Sequence, residues 1–227
     1  MSLLHLDSSA HGAPESVSRR LGGSFARQWC ARHGDAGYRH RDLVADPVVP
    51  IGPAYCDLGR RVERLAGPVG ELIETAAERQ EWDMTRELVD ELVGSDVLLI
   101  GAPMYNYGAP AALKTWIDRV SFPGAFIDPA DGSSLLEHLR VVVVTACGGA
   151  YGPGTGAQAR DFLTPHLRAY FVKQGVPAAN LEVVGADRTL AGIVPGREHL
   201  APLAARALDD ARTSLAALVA AVGDPAS

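Results

Sequence analysis

Apolar residues fall along this chain in short blocks, and the blocks alternate between two periods. Ser2–Asp7 is a mostly apolar run that predicts a first strand. A small polar loop, Ser8–Glu15, follows, and Leu21, Phe25 and Trp29 at intervals of four then predict a helix. Tyr38–Leu43 predicts a second strand, diluted by His40 and the flanking arginines. Residues 46–84, with prolines at 47, 50, 53 and 68, are the least regular, and short helical pieces are expected near Val62–Glu78. From Thr85 the pattern sharpens. Leu88, Val89, Leu92 and Val93 keep helical spacing up to Gly94, a residue suited to a helix C-terminus.

Val97–Ile100 is continuously apolar, as a strand covered on both faces should be. A helix is expected from about Pro110, because proline fits the first turn. Arg140–Thr145, with its four consecutive valines, is the clearest strand. Thr164 and Pro165 read as the N-cap and first residue of a helix through Leu167 and Phe171. Leu181–Gly185 predicts a last strand, and Leu200, Leu203, Ala207, Leu208, Ala211, Leu215 and Leu218 mark a final amphipathic helix. Five strands alternating with helices imply an α/β protein with a doubly wound parallel sheet and helices on both faces. With no repeat and no linker, one domain over residues 1–227 is expected. Such sheets bind ligands beyond the carboxyl ends of their strands, where the winding reverses, so the loops after the first, third and fourth strands are the candidates.

In the first loop, "DSSAHGAPESVSRRL", Ser9, Ser16 and Ser18 supply hydroxyls beside the unpaired amides of a helix start. That combination suits a phosphate; equally, one serine could simply cap the helix. The second, "GAPMYNYGAPAALKTWID", places two tyrosines where they could pack on a flat aromatic ring, with Asn106 able to brace the turn through its own side chain. Two tyrosines half-buried under a neighbouring loop would read the same way. In the third, "TACGGAYGPGTGAQARDFLTP", Gly148 and Gly149 would let the main chain approach a ligand, and the later glycines suggest a mobile loop. Gly152, Gly154 and Ala157 fit GxGxxA, but the first strand–helix turn lacks that fingerprint and no convincing acidic partner follows a second strand.

Composition narrows the classes. With 47% apolar and 21% charged residues the chain can bury a sizeable core, and a formal charge of -6 argues against a nucleic-acid partner. The three cysteines include no CxxC and suit a reducing cytoplasm. No apolar stretch approaches the ~18 residues of a membrane span, and the N-terminus lacks a basic leader region, so a soluble, cytoplasmic protein is expected. The histidines at 5, 11, 33, 40, 138, 166 and 199 do not sit at ligand spacings, so no metal site is expected, and Gly-x-Ser-x-Gly is absent. A phosphate loop and two close-approach loops, without an evident acid, base or nucleophile, point to a bound cofactor as the source of chemistry.

Together these loops resemble the flavodoxin-like, FMN-dependent NAD(P)H:quinone reductases and azoreductases, across nearly the whole chain. "SSAHGAPESVS" is similar to that family's phosphate loop, and "APMYNYGAPAALKTWID" to its PMYNF-x3-P-x2-LK-x3-D signature, with Tyr107 in place of phenylalanine. "TACGG" stands where the family has Ser-Arg-Gly-Gly, and "DFLTPHLRAYF" resembles the helix after it. The resemblance implies that Ser9, Ser16, Val17 and Ser18 bind the FMN phosphate. It implies that Met104, Tyr105, Asn106 and Tyr107 line the isoalloxazine ring, and that Cys147, Gly148 and Gly149 close its pyrimidine side, chiefly through backbone. It further implies a homodimer in which NADH or NADPH reduces FMN and a quinone or azo compound then takes two electrons, a ping-pong scheme. A specialised biosynthetic reductase acting on a quinone-like metabolite, a flavodoxin-like electron carrier and a non-enzymatic flavin-binding regulator are the alternatives. Ala146 and Cys147 depart from the family's Ser-Arg, so Cys147 reads either as a redox thiol or as a small packing residue.

Overall fold

The runs Val97–Pro103 (β3) and Arg140–Ala146 (β4) are apolar almost end to end because they form the middle of a parallel sheet with helices on both faces. The computed structural model describes residues 1–152 and 154–222. Leu3–Asp7 (β1) pairs with β3 on one side and with Tyr38–Asp42 (β2) on the other, while Leu181–Ala186 (β5) pairs with β4. The strand order is therefore β2-β1-β3-β4-β5, all parallel. The winding reverses between β1 and β3, the flavodoxin-like arrangement, and this places the loops after β1, β3 and β4 along one edge.

Alternation along the strands divides the core. Leu4 and Leu6 of β1, with Leu98 and Ile100 of β3, face a layer built from the helices Ala76–Val93 (α3), Ala111–Val120 (α4) and Leu163–Lys173 (α5). Leu3, Val97, Leu99, Val142 and Val144 face the opposite layer, formed by Val17–His33 (α1) and Ala201–Val222 (α6). Leu21, Phe25 and Trp29 of α1 are all buried there, as their spacing predicts. Among the described residues no helix is long and apolar enough to cross a membrane.

Several boundaries differ from expectation, for local reasons. The irregular region contains a full helix, Pro53–Leu65 (α2), with proline in its first turn; the rule that places Pro110 applies equally to Pro53. Its residues Tyr55, Leu58 and Val62 pack on Phe122 in a small satellite core. Helix α3 starts well before Thr85, at a capping box in which Thr75 accepts from the Glu78 amide and the Glu78 carboxylate accepts from the Thr75 amide. Gly94 closes it at φ -78, so its backbone is not left-handed. Helix α5 begins at Leu163 rather than at Pro165. The Asp161 carboxylate, which accepts from the Leu163 and Thr164 amides at 3.0 and 2.9 Å, does the capping expected of Thr164. In α6 the apolar stripe is half used: Ala211 and Leu215 are buried, but Leu203 is 46% exposed.

Arg119 of α4 is fully buried, which is rare for arginine. It donates to the carbonyls of Val49 (2.7 Å) and Pro50 (2.9 Å), pairs with Glu81, and lies 5.4 Å from the Tyr55 ring centroid. The irregular segment after β2 is thereby pinned to α3 and α4.

Candidate cofactor-binding site

The loop after β1 ends where Ser16 caps α1, its hydroxyl accepting from the Arg19 amide at 3.3 Å. The capping alternative is therefore real, yet it leaves other donors open. Among the described residues the Val17 and Ser18 amides have no hydrogen-bond acceptor, and they lie at the positive end of the helix dipole. Ser9, Ser16 and Ser18 are all buried, and the Ser16 and Ser18 hydroxyls lie 3.2 Å apart. Two free amides beside clustered hydroxyls make an anion cradle. The Arg19 guanidinium fixes its base: it donates to the Ser9 carbonyl at 2.8 Å and forms a bidentate pair with Asp42 at 2.7 and 2.8 Å. That pair and two backbone amides hold the Asp42 carboxyl far below its ordinary range.

The loop after β3 is a two-residue reversal. Tyr105 and Gly108 exchange backbone hydrogen bonds of 3.1 and 3.0 Å, and Asn106 and Tyr107 between them have φ of 49 and 72. Two successive positive φ values define a type I′ turn, in which asparagine is favoured at the first position. Asn106 is therefore there for its backbone; among the described residues its side chain makes no hydrogen bond, contrary to the expected bracing role. The Asn106 and Tyr107 amides likewise have no acceptor, so the turn presents two donors outward. Met104 packs half-buried against the core below it, while Tyr105 and Tyr107 remain 36% and 42% exposed. The Tyr105 hydroxyl reaches the first loop, accepting from the Ala10 amide at 3.1 Å and lying 3.4 Å from Ser9 Oγ. It ties the two loops together.

The loop after β4 is tied to the one after β5 by three backbone bonds: Cys147 to Ala186, Thr189 to Cys147 and Arg188 to Gly149. A Cβ at Gly148 would lie 2.6 Å from Leu190 Cδ1, and one at Gly149 would lie 3.0 Å from the Tyr151 hydroxyl. At Gly148 the chain's own packing thus favours glycine, and at Gly149 Tyr151 would have to yield slightly. Their amides still carry no acceptor among the described residues. Tyr151 meets Tyr107 edge to face at 5.9 Å, closing one side of the site. Cys147 is buried, and burial, reinforced by Asp161 and Asp187, pushes its thiol up to about 12. Burial on that scale favours a packing role for Cys147 over that of a nucleophile.

All eleven residues expected at the site thus lie in the loops after β1, β3 and β4 or in the first turn of α1, along one edge of the sheet. Their open donors suit FMN: an anion cradle for its phosphate at one end, and outward amides for the polar rim of a flat ring at the other. Sequence spacing missed a second gathering behind the first loop, where His5, Asp7 and His40 come together. His5 and His40 are partners in the register of β1 and β2, a relation invisible until the strands pair.

Comparison with known proteins agrees with this arrangement. A family model described as a flavodoxin-like fold (Flavodoxin_2) matches residues 1–208. An FMN-dependent NADH:quinone oxidoreductase of Nocardia farcinica is 38% identical over 213 residues, 92% of this chain and 91% of that protein. One of the same description from Methylorubrum populi is 34% identical, covering 96% of this chain and all of the relative. An azoreductase of Bacillus anthracis superposes with a TM-score of 0.79 over 96% of this chain and 99% of its own, at 17% identity, a likeness of fold. The chain belongs to this flavodoxin-like family.

Proposed function

We propose that the protein is an FMN-dependent NAD(P)H oxidoreductase of the quinone reductase and azoreductase type. The observation that carries the reading is the pair of open donor sets at the reversal point of the sheet: Val17 and Ser18 on one side, Asn106 and Tyr107 on the other. Full-length relatives described as FMN-dependent NADH:quinone oxidoreductases support it. When bound, FMN would supply two-electron transfer from NADH or NADPH to a quinone or azo acceptor, in two half-reactions sharing one site.

The chain's own part is placement. The Val17 and Ser18 amides, with the hydroxyls of Ser9, Ser16 and Ser18, would hold the phosphate at the positive end of α1. Met104 would support the ring from beneath, while the amides of Asn106, Tyr107, Gly148 and Gly149 would meet its polar edges and stabilise negative charge there. Tyr107 and Tyr151, already paired, would flank a flat acceptor. Residues 1–227 would act as one FMN-binding domain, in the reducing cytoplasm that three free cysteines suit. Two copies would join through exposed apolar groups beside the site, such as Phe162, whose amide donates to the Tyr107 carbonyl.

Purified protein should be yellow, its flavin should bleach anaerobically with NADH or NADPH, and a quinone should restore the colour. Protein that stays colourless after reconstitution with FMN overturns the reading. Bound FMN that neither nicotinamide reduces would identify a carrier or a regulator instead.

A further inference from the structure

His5 and His40 are register partners on adjacent parallel strands, and Asp7 lies two positions beyond His5 on β1, so the three side chains leave the sheet on the face that α1 covers. One ligand atom from each lies within 4.8 Å of the others. His5 and Asp7 are only 2% and 5% exposed, yet His5 Nε2 and Asp7 Oδ1 have no hydrogen-bond partner among the described residues. These two orphaned atoms lie 3.7 Å apart, and Asp7 Oδ2 is 3.0 Å from His40 Nε2. A buried polar atom left unpaired costs about 1–3 kcal/mol, so the arrangement lacks something between its members.

We propose that His5 Nε2, the Asp7 carboxylate and His40 Nε2 form a binding site for a divalent transition metal of the zinc class, with a fourth coordination position open to the adjoining cavity. Two imidazoles and one carboxylate favour zinc, cobalt, nickel or copper over magnesium or calcium, which prefer oxygen alone. Tetrahedral zinc with bonds of ~2.0–2.1 Å separates its ligand atoms by about 3.4 Å. The 3.7 and 3.0 Å separations reach different oxygens of Asp7, so a rotation of its carboxylate would present one oxygen to both imidazoles. The outer shell is in place as well. Tyr38 Oη lies 3.0 Å from His5 Nδ1, and accepting the proton of that nitrogen leaves the Nε2 lone pair free for a metal.

Arg19 is the cation the structure sets against Asp7, with Nη1 3.5 Å from Asp7 Oδ2, while Arg20, Arg27 and Arg212 also line the adjoining cavity. Its guanidinium makes two shorter bonds to Asp42, and Asp7 Oδ1 keeps no hydrogen-bond partner among the described residues. A cavity of about 500 Å³ opens on the cluster and leaves room for a water or small anion as fourth ligand. The site lies behind the phosphate loop and shares none of its donors, so metal binding should not depend on flavin.

The test uses the full chain, cleared of metal with a chelator and dialysed, then titrated calorimetrically with Zn²⁺ with and without FMN. A single equivalent should bind in both states, Co²⁺ should give the visible spectrum of a tetrahedral site, and Zn²⁺ should raise the melting temperature. His40→Gln, on the exposed edge strand, should weaken binding by more than the ~10–100-fold expected for loss of an outer-shell partner. His138→Gln, remote from the cluster, should leave binding unchanged. Wild-type protein that binds no equivalent, or His40→Gln protein that binds as tightly as wild type, overturns the proposal. Should His40→Gln fail to fold, Co²⁺ titration of the wild type decides: the His5 and His40 ring resonances must shift first, and their failure to do so overturns it equally.

Discussion

With φ at 49 and 72, Asn106 and Tyr107 occupy backbone space that costs most side chains about 1–2 kcal/mol each, and asparagine is among the few that tolerate it. Asn106→Ala should therefore lower stability by about 1 kcal/mol in urea titrations and weaken FMN retention, while Asn106→Gly keeps the turn. The PMYNYG segment announces itself in the sequence by its residue types, but its left-handed geometry does not, and the side-chain brace expected of Asn106 is absent. Cys147 shows the reverse case. Its departure from the family pattern is visible in the sequence, whereas the burial that raises its pKa is revealed only by packing. Alkylation at neutral pH should label the exposed Cys56 first and Cys147 last, and Cys147→Ala should keep its flavin. Fast labelling of Cys147 in native protein would restore the redox-thiol reading.

Helix α3 owes its start to Glu78, whose carboxylate accepts from the Glu74 and Thr75 amides at 2.7 and 3.1 Å and pairs with Arg61. Arg61, foremost, together with those amides lowers the Glu78 pKa from 4.5 to about 2. A carboxyl depressed in the folded state contributes stability that is fully present above the unfolded value and fades as pH falls through the folded one. The contribution of Glu78 should thus fade between about pH 4.5 and pH 2, and Glu78→Gln should lower the melting temperature at pH 7 but hardly at pH 2. Arg119 carries a heavier load for α4. Arg119→Leu strands Glu81 and two carbonyls, and should cost about 3–5 kcal/mol in chemical denaturation. Strands were easier to read than helix starts, because four valines in β4 dictate one outcome. The starts of α2 and α3 lay in the stretch that looked irregular, at Pro53 and at the Thr75 cap, and α5 began two residues early because Asp161 caps it.

Taken whole, the molecule keeps its cofactor loops on one edge of the sheet and much of its exposed apolar surface nearby, with Phe162 at 63% and Ile193 at 73% exposure. Light scattering should find a dimer, and Phe162→Glu should shift it toward monomer; a monomeric wild type would remove the need for a partner at the site. The sheet's class was readable from alternating periods, yet its lateral order was not. Periodicity alone does not say that β1 lies between β2 and β3; only the flavodoxin-like resemblance implies that order, and neither gives the register that brings His5 to His40.

The crowding at Gly148 bears on the history of the family. With Leu190 filling the space its Cβ would need, position 148 gains a side chain only if the side chain at 190 moves or shrinks. Descendant lineages should therefore change the two together. A relative with a larger residue at 148 should carry a smaller one at 190, and the single replacement Gly148→Ala should be rescued by Leu190→Ala.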